Sequence, residues 1–342
     1  MSLKNLSARN KVHKFIKAKL SINRINTIYN KFEKSCDIDE KFLVAVSGGP
    51  DSLALAFLAK VFSVKKNIPS KFVIIDHRLR KESRTEANKV KMILKKNFIN
   101  AEIIAWRGPK PLKNIQSLAR KERYKLLLKK CRELNINNIL VGHHQDDLIE
   151  NFFIRMIRGS GLKGLVSLSE KSNIEGKILI RPLLDQKKED LVFISKNIFN
   201  FYVKDPSNEN ENFQRIMVRN LLNQLKKNGL DDKKILKMIK NLKKSDFVIN
   251  FYVLQNLKNN TFSSKKSDKI ILNSKFFIQP YEVILRSLSE LIRIVGQRYY
   301  TVRGKKLDLI IDKIDKSSSF QATLGGCIIK KVSQTVILRK EH

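Results

Sequence analysis

The stretch FLVAVSGGPDSLALAFLAKV, residues 42–61, joins a short apolar run to a helical pattern through a glycine-rich turn. The run 42–46 has the length of a buried strand, and residues 52–64 have the apolar spacing of a helix. Glycines let the backbone approach a phosphate closely, and the N–H groups at a helix N-terminus favour an anion. The turn Ser47-Gly48-Gly49-Pro50-Asp51-Ser52 is therefore predicted to bind phosphate. It lacks the lysine of the GxxxxGK[ST] phosphate loop.

Further apolar runs alternate with helical patterns after this turn. The runs are FVII (72–75), EIIAW (102–106), NILV (138–141) and KILI (177–180), and the helical patterns cover residues 84–97 and 115–134. Alternating strands and helices predict right-handed βαβ units and a parallel sheet. The predicted fold class is α/β with a Rossmann-like parallel sheet.

Polar clusters directly follow three of the predicted strands, at residues 47–52, 76–80 and 143–150. Ligands of open α/β sheets bind at the carboxyl ends of the strands. We therefore expect these three clusters, although far apart in sequence, to converge on one cleft.

The character of the chain changes after about residue 220. Residues 223–244 are rich in lysine with apolar residues at helical spacing, which fits a solvated connector and an RNA-facing helix equally well. Residues 259–268 predict a loop. Residues 269–342 predict a small α+β domain, with a strand at KIIL, helices at 281–295 and 305–314, and a strand pair around Gly325-Gly326. The predicted domains are 1–220 (core from about 40), 221–268 and 269–342.

The amino-acid composition limits the kinds of binding partner and the cellular compartment that we expect. The 342 residues include 69 basic and 32 acidic ones, a net charge of +37. Such an excess attracts polyanions, and nucleic acid is a better candidate than a membrane surface. A general drift of the composition towards lysine is the alternative explanation of the charge. The three cysteines form no CxxC, which argues against a disulfide framework or a cysteine-rich zinc site. Without a secretory signal or an 18-residue apolar run, we expect a cytoplasmic protein and no membrane partner.

A second polar constellation is His143-His144-Gln145-Asp146-Asp147 with Glu150. Asp147 and Glu150 are three residues apart, so a helix that starts here places both carboxylates on one face. Such a pair can share Mg²⁺ with a triphosphate, bind an ammonium group, or only complement the helix dipole. Two histidines without a third ligand make zinc a poor fit.

At this level of detail the chain resembles the tRNA(Ile)-lysidine synthases, a family of ATP pyrophosphatases with an SGGxDS loop. The stretches that carry the resemblance are SGGPDS (47–52), DHRLRKESRTEANKV (76–90), NIQSLARKERYKLL (114–127), HHQDDLIENFFIRMIRGSGLKGL (143–165), RPLL (181–184) and DPSNENENFQRIMVRN (205–220). QATLGGCIIKK (321–331) is similar to the end of the family's C-terminal domain. Asn151 stands where the family often has threonine, and Arg78 where glycine often follows the histidine.

The resemblance implies an adenine nucleotide α-hydrolase-like fold and a two-step reaction. ATP adenylates the C2 oxygen of the wobble cytidine in an isoleucine tRNA with a CAU anticodon. The amine of free lysine then displaces AMP and gives lysidine, so that the anticodon reads AUA instead of AUG. ATP and Mg²⁺ are the implied cofactors, and the C-terminal domain is implied to bind tRNA. The sequence leaves a homodimer open.

The same resemblance implies roles for individual residues. Asp51, Asp147, Glu150 and Arg123 are the catalytic candidates, and Asp51 and Glu150 are the candidates for holding the metal. Asp147, Arg120, Arg215 and Arg219 are candidates for binding lysine or tRNA, and the division of Asp147 and Glu150 between lysine and metal stays open. The candidates for binding ATP are Ser47, Gly48, Gly49, Pro50, Asp51, Ser52, Asp76, His77 and His143.

Three other functions compete. A tRNA thiolase would adenylate a base and deliver sulfur, but the sequence offers no paired cysteines for that step. An amidotransferase-linked synthetase has little use for a charge of +37. A non-catalytic RNA-binding protein would leave the phosphate loop unexplained, and no aromatic RNA-recognition signature is evident.

Overall fold

The computed structural model describes residues 3–80, 82–108, 115–203, 214–264, 269–298, 302 and 304–341. The chain divides into two compact units, Met1–Leu236 and Lys237–His342. The division falls inside one long helix, whereas the predicted boundaries lie at residues 220 and 268. The three-part division stays a prediction.

The first unit contains six strands and nine complete helices among its described residues. The strands are β1 (Phe42–Val46), β2 (Ser70–Asp76), β3 (Ala101–Ala105), β4 (Asn138–Leu140), β5 (Lys171–Ile174) and β6 (Lys177–Ile180). The helices are α1 (Leu3–Leu20), α2 (Asn23–Ser35), α3 (Pro50–Lys66), α4 (Ser83–Lys96), α5 (Ile115–Glu133), α6 (Gln145–Ile157), α7 (Leu162–Leu165), α8 (Lys188–Phe199) and α9 (Gln214–Lys227). Helix α10 (Asp232–Asn260) begins in this unit and continues into the second.

The six strands form one sheet in the order β3-β2-β1-β4-β6-β5. All neighbours are parallel except β5, which forms an antiparallel hairpin with β6. The predicted parallel α/β sheet is confirmed. Strand β1 pairs with β2 on one side and β4 on the other, so the strand order reverses there. This reversal is the position at which open α/β sheets bind ligands.

Alternation along β1 explains why the sheet is buried on both faces. Phe42, Val44 and Val46 pack into the core formed with α2, α3 and α8, whereas Leu43 packs with α5 on the opposite face. Successive strand residues point to opposite faces, so a strand covered on both sides is apolar throughout. Helix α3 is correspondingly apolar, and Leu53–Ala59 are all buried.

The second unit is a five-stranded antiparallel sheet packed against two helices. The strands are β7 (Thr261–Ser264), β8 (Lys269–Leu272), β9 (Ser319–Leu324), β10 (Cys327–Val332) and β11 (Thr335–Lys340), in the order β7-β8-β11-β10-β9. The helices are α11 (Tyr281–Val295) and α12 (Gly304–Lys316), with a short 3₁₀ helix at Ser274–Phe277. The predicted α+β character of the C-terminal region is confirmed.

The structure differs from the sequence predictions in local detail. Residues 261–264, which lie in the predicted loop 259–268, form β7 and pair with β8, with Thr261 opposite Leu272. A strand this short carries little periodicity of its own and forms because β8 offers it an edge. Residues 265–268 of that predicted loop lie outside the described residues. Among the described helices, none is long and apolar enough to cross a membrane.

Candidate active site

The loop between β1 and α3 has the backbone form of an anion site. Gly48 has φ 90°, a left-handed conformation that favours glycine, and Gly49 is the N-cap of α3 in extended conformation. Pro50 is the first helical residue, where its missing N–H costs nothing. Among the described residues, no side chain caps this helix end. Its first-turn N–H groups, which have no partner within the helix, are therefore available to an anion.

Ser52 shapes the loop from within. Its Oγ accepts hydrogen bonds from the backbone N–H groups of Ser47 (3.1 Å) and Gly48 (3.0 Å), and it donates to the carbonyl of Gly49 (3.0 Å). The hydroxyls of Ser47 and Ser52 also lie 3.1 Å apart. The two backbone N–H groups thus converge on one oxygen, which holds the loop in a tight curve at the carboxyl end of β1.

Two distant segments fasten the same loop. The Ser195 hydroxyl on α8, fully buried, donates to the carbonyl of Pro50 at 2.9 Å. The backbone N–H of Val203 donates to the carbonyl of Gly48 at 2.9 Å. Gly142, after β4, packs so closely that a Cβ atom there would lie 3.2 Å from the backbone of Asp51. The loop is therefore positioned by tertiary contacts as well as by its own turn.

His144 connects this loop to the second polar cluster. As the N-cap of α6, its Nδ1 accepts from the N–H of Asp146 (3.3 Å), while the Asp147 carboxylate accepts from the backbone N–H of His144 (3.1 Å). Its Nε2 lies 3.6 Å from Oδ2 of both Asp51 and Asp147. Burial alone lowers the pKa of His144, but the interaction with Asp51 and the charges of Asp147, Asp51 and Asp146 outweigh it, so the pKa is raised.

The RPLL segment fixes the place of His144. Leu183 of this segment forms a parallel bridge with His144, and the N–H of Gln145 donates to the carbonyl of Gln186 at 3.1 Å. Arg181, 7% exposed, donates through one guanidinium nitrogen to the Ser169 carbonyl at 2.8 Å. The segment therefore extends the pairing of β4 and β6 beyond their ends and holds the start of α6 beside the phosphate loop.

Glu150 has a partner that the sequence did not indicate. It is 5% exposed, and its two oxygens accept from Nε and a terminal nitrogen of Arg219 on α9, at 2.5 Å and 3.2 Å. The bidentate geometry is that of a strong, charge-assisted pair. Both residues were candidates for ligand contacts, Glu150 for metal and Arg219 for tRNA. The pair joins α6 to α9 and engages both groups with each other, so those two roles stay predictions without geometric support.

Asp76 is a buried carboxylate at the end of β2. Its Oδ1 accepts from the N–H of Arg78 (3.1 Å) and the hydroxyl of Ser83 (2.7 Å), and the guanidinium groups of Arg78 and Arg84 lie 3.9 Å and 3.8 Å from Oδ2. Asp76 therefore organises the turn between β2 and α4. Arg78 has φ 53°, the left-handed region that explains why glycine often occupies this position in the resembling family.

His77 and Arg123 lie close enough to influence one another. Burial and the positive charge of Arg123 lower the pKa of His77 to about 4, against a smaller opposing effect of Asp76. His77 is therefore neutral near pH 7, and its buried Nδ1 has no hydrogen-bond partner among the residues that the structure describes. Arg120, one turn from Arg123 on α5, lies 5.3 Å from the ring centre of Tyr124.

The structure brings some of the predicted site residues together and leaves others apart. The loop 47–52, Asp147 and His144 converge at the carboxyl ends of β1 and β4, while Asp76, His77 and Arg123 lie at the end of β2. The side chain of Arg215 lies outside the described residues. Sequence reasoning missed His144 and Ser195 as site residues. His144 already stood in the polar constellation His143–Glu150, two residues before Asp146, which was an available signal, whereas Ser195 carries no motif.

Comparison with known proteins decides the family. A family model described as a PP-loop domain matches residues 18–226. The tRNA(Ile)-lysidine synthase of Wolbachia sp. subsp. Brugia malayi (strain TRS) is 30% identical over 314 residues, which cover 89% of this chain and 71% of that protein. That of Orientia tsutsugamushi (strain Boryong) is 34% identical over 317 residues, covering 88% and 70%.

The chain belongs to the tRNA(Ile)-lysidine synthase family. A solved U34-tRNA thiolase, NcsA from Methanococcus maripaludis with its [4Fe-4S] cluster, is similar with a TM-score of 0.53 and 19% identity, covering 65% of this chain and 78% of that one. That likeness shows a shared fold. For a member of this family with a PP-loop domain, use of ATP follows from the family. The loop at residues 47–52 is the candidate for the phosphate-binding PP-loop and is called the PP-loop below.

Proposed function

We propose that this lysidine synthase family member adenylates the wobble cytidine of a CAU-anticodon isoleucine tRNA and then joins free lysine to it. The observation that carries the proposal is the meeting of the PP-loop with the Asp51–His144–Asp147 cluster at one edge of the sheet. One side of this edge suits a polyphosphate, and the other suits an ammonium group. A reaction that consumes ATP and lysine needs both.

In the first step the PP-loop holds the β- and γ-phosphates of ATP. The N–H groups at the start of α3 and the hydroxyl of Ser47 stabilise the charge that develops on the departing diphosphate. The C2 oxygen of the cytidine attacks the α-phosphorus, and the bond from that phosphorus to the bridging oxygen breaks. Ser195 and Val203 contribute indirectly, because their hydrogen bonds hold the carbonyls of Pro50 and Gly48 in place.

Asp51 is suited to hold Mg²⁺. Its Oδ1 is buried and accepts no hydrogen bond in the structure, so the atom has unused capacity for a ligand. Mg²⁺ prefers carboxylate oxygens together with phosphate oxygens and water. Among the described residues, no group of three or more His, Cys, Asp or Glu forms a metal site by itself, so phosphate oxygens would complete the coordination. Bound there, the ion would offset the charge of the diphosphate.

In the second step the amine of lysine attacks C2 of the adenylated cytidine, and AMP leaves with the oxygen. Asp147 is the better of the two carboxylate candidates for the other ammonium group of lysine. Its side chain is 16% exposed and lies at the start of α6 beside His144, whereas Glu150 is bonded to Arg219. Glu150 then acts as a positioning residue that ties α9 to the site.

The arginines of α5 and the net charge of +37 support an RNA substrate. Arg120 and Arg123 lie on the helix that faces His77, and both are suited to pair with phosphate. Phosphate contacts position a tRNA, and base contacts select it. We place selection of the wobble base in the first unit, since the adenylating loop lies there.

Sulfur transfer is disfavoured by the cysteines themselves. Cys36, Cys131 and Cys327 are all buried. Burial is the largest influence on each of them, and it raises the pKa of Cys36 to about 12 and of Cys131 and Cys327 to about 11. A thiol of this kind is largely protonated near pH 7, whereas sulfur chemistry requires an accessible thiolate.

The deciding experiment incubates the protein with ATP, Mg²⁺, labelled lysine and total tRNA. We expect one mole of AMP and of diphosphate for each lysine incorporated, and label in an isoleucine tRNA with a CAU anticodon. Methionine tRNA, which has the same anticodon, is the matched control and should stay unlabelled. Adenylation without lysine incorporation, or label in both tRNAs, would contradict the proposal.

A further inference from the structure

A cavity of about 620 Å³ lies between α4, α8 and the segment that follows α8. Of its lining residues, Val203 also positions the PP-loop, through its hydrogen bond to the carbonyl of Gly48. The lining residues are Glu86, Lys89, Lys196, Asn200, Phe201, Tyr202 and Val203. All belong to the first unit. The volume is within the range of small-molecule and nucleotide sites.

The charge of the lining favours an anion. Lys89 on α4 and Lys196 on α8 both line the cavity and are exposed. Glu86, the one acid among the described lining residues, is engaged by Arg80, with a guanidinium nitrogen 3.0 Å from its Oε2. The two lysines are therefore not neutralised by the lining itself.

The cavity also offers an aromatic surface. Phe201 and Tyr202 are half-buried, and the ammonium of Lys89 lies 4.8 Å from the ring centre of Phe201. A cation over a ring face is attracted by the ring but is readily exchanged at an exposed site. A planar base that stacks on Phe201 would displace the ammonium towards the phosphate of the same nucleotide. Lysines beside aromatic rings form the usual platform for single-stranded nucleic acid.

The wall of the cavity is fastened to the PP-loop at two places. Ser195, next to Lys196, donates to the carbonyl of Pro50, and Val203 donates to the carbonyl of Gly48, both at 2.9 Å. A Cβ atom at Gly48 would also meet Val203 at 3.1 Å. A ligand in the cavity therefore contacts the same short segment, residues 195–203, that sets the position of the loop carbonyls.

We propose that this cavity binds a nucleotide of the tRNA, its base stacked on Phe201 or Tyr202 and its phosphate paired with Lys89 and Lys196. The inference rests on the proposed function, because it assumes a tRNA substrate at the PP-loop edge. The nucleotide is a neighbour of the target cytidine in the unpaired anticodon loop, since only an unstacked base is free to enter. Through residues 195–203, its binding orders the PP-loop for adenylation.

The first test removes the two ammonium groups. The double variant Lys89→Ala/Lys196→Ala is compared with Lys91→Ala, an exposed residue of α4 that does not line the cavity. We expect tRNA affinity to fall about tenfold, and the slope of log affinity against log salt to decrease by about one to two. ATP affinity measured without tRNA should not change. Replacing both lysines by arginine should restore tRNA affinity.

The second test removes the stacking surface. Phe201→Ala should weaken binding of an anticodon stem-loop RNA about tenfold without changing the salt slope, because stacking releases no counterions. Phe201→Tyr keeps a ring and should bind as the wild type does. Thermal unfolding of each variant separates loss of contact from loss of fold.

The outcomes are distinct. Unchanged RNA affinity in both sets of folded variants overturns the proposal. A loss of ATP affinity without tRNA would assign the lysines to the phosphate tail of ATP, and it also overturns the proposal. If the wild-type protein forms no lysidine at all, the proposed function fails instead, and this result is seen before any variant is made.

Discussion

Nε2 of His144 lies 3.6 Å from Oδ2 of Asp51, although the two residues are 93 positions apart in the sequence. Asp51 belongs to the PP-loop and to the first turn of α3, and His144 caps α6 after β4. The contact brings the N-termini of two helices together at one edge of the sheet. The contact joins the phosphate-binding part of the site to the acidic part. The residues proposed for adenylation and those proposed for lysine binding therefore lie beside one another.

Asp51→Asn tests the assignment of the metal and of the departing diphosphate. The amide keeps the size of the side chain but loses the charge, so we expect ATP–diphosphate exchange in the presence of tRNA to fall at least a hundredfold. ATP binding should weaken less, because the loop N–H groups remain. Exchange within a factor of three of the wild type would remove Asp51 from the catalytic residues.

Asp147→Asn and Glu150→Gln separate lysine binding from support of the site. We expect Asp147→Asn to raise the KM for lysine at least tenfold while adenylated tRNA still accumulates without lysine. Trapping the adenylated tRNA measures this directly. Loss of both steps together would indicate that Asp147 serves the phosphate or the metal instead.

Glu150→Gln should mainly lower the free energy of unfolding. It leaves the half-buried Arg219 without its carboxylate partner, which we expect to cost about 1–3 kcal/mol of unfolding free energy after allowance for the exposure of Arg219. The double variant Glu150→Gln/Arg219→Gln should be no less stable than Glu150→Gln alone, because it also removes the charge that the single variant leaves without its partner. Additive losses would show that the pair is not coupled.

Gly48→Ala tests the geometry of the PP-loop against a matched glycine. Gly48 and Gly176 both have positive φ, 90° and 75°, but an added Cβ would lie 2.6 Å from Val90 at Gly48 and meets nothing within 4 Å at Gly176. We expect Gly176→Ala to cost about 1 kcal/mol with full activity. Gly48→Ala should cost about 2–4 kcal/mol and lose most ATP–diphosphate exchange. Equal effects of both substitutions would contradict this account.

His77 gives the unfolding free energy a defined pH dependence. Its pKa is about 4 in the folded chain against 6.5 ordinarily, so the unfolded chain binds the extra proton between these values. Stability attributed to His77 is therefore full above pH 6.5 and is lost as the pH falls towards 4, by about 3 kcal/mol over the window. His77→Gln should flatten that part of the curve, measured by denaturant unfolding. His13→Gln, on the exposed face of α1, is the control.

The lysines of α10 test whether the second unit holds RNA. Lys237, Lys240 and Lys244 are exposed at helical spacing. If this face meets tRNA phosphates, replacing all three by glutamine should lower tRNA affinity and reduce the salt slope by up to about three. The control replaces Lys91, Lys95 and Lys96 on α4. If both triple variants changed tRNA affinity and salt slope equally, the lysines of α10 would have no specific role in tRNA binding, and their number would reflect compositional drift.

Much of the first unit was predictable because its signals are local. Residues 42–61 predict strand β1, the glycine turn and the apolar helix α3. The parallel orientation of the strands follows from the alternation of strands and helices along the chain. The helix at 281–295 was predicted to the residue, since its apolar face repeats without interruption. The short strands β5 and β7 were not predicted, because their pairing partners, rather than their own periodicity, stabilise them.

The sequence by itself determined the chemistry that is available: a PP-loop, a pair of carboxylates at helical spacing and a basic chain, in the order of one enzyme family. Tertiary structure alone decided which groups face one another. It placed His144 between Asp51 and Asp147, and it engaged Glu150 with Arg219. The reason is physical: local backbone preferences fix turns and helices within a few residues, whereas contacts across 93 or 69 positions depend on how sheet order and core packing bring distant segments together.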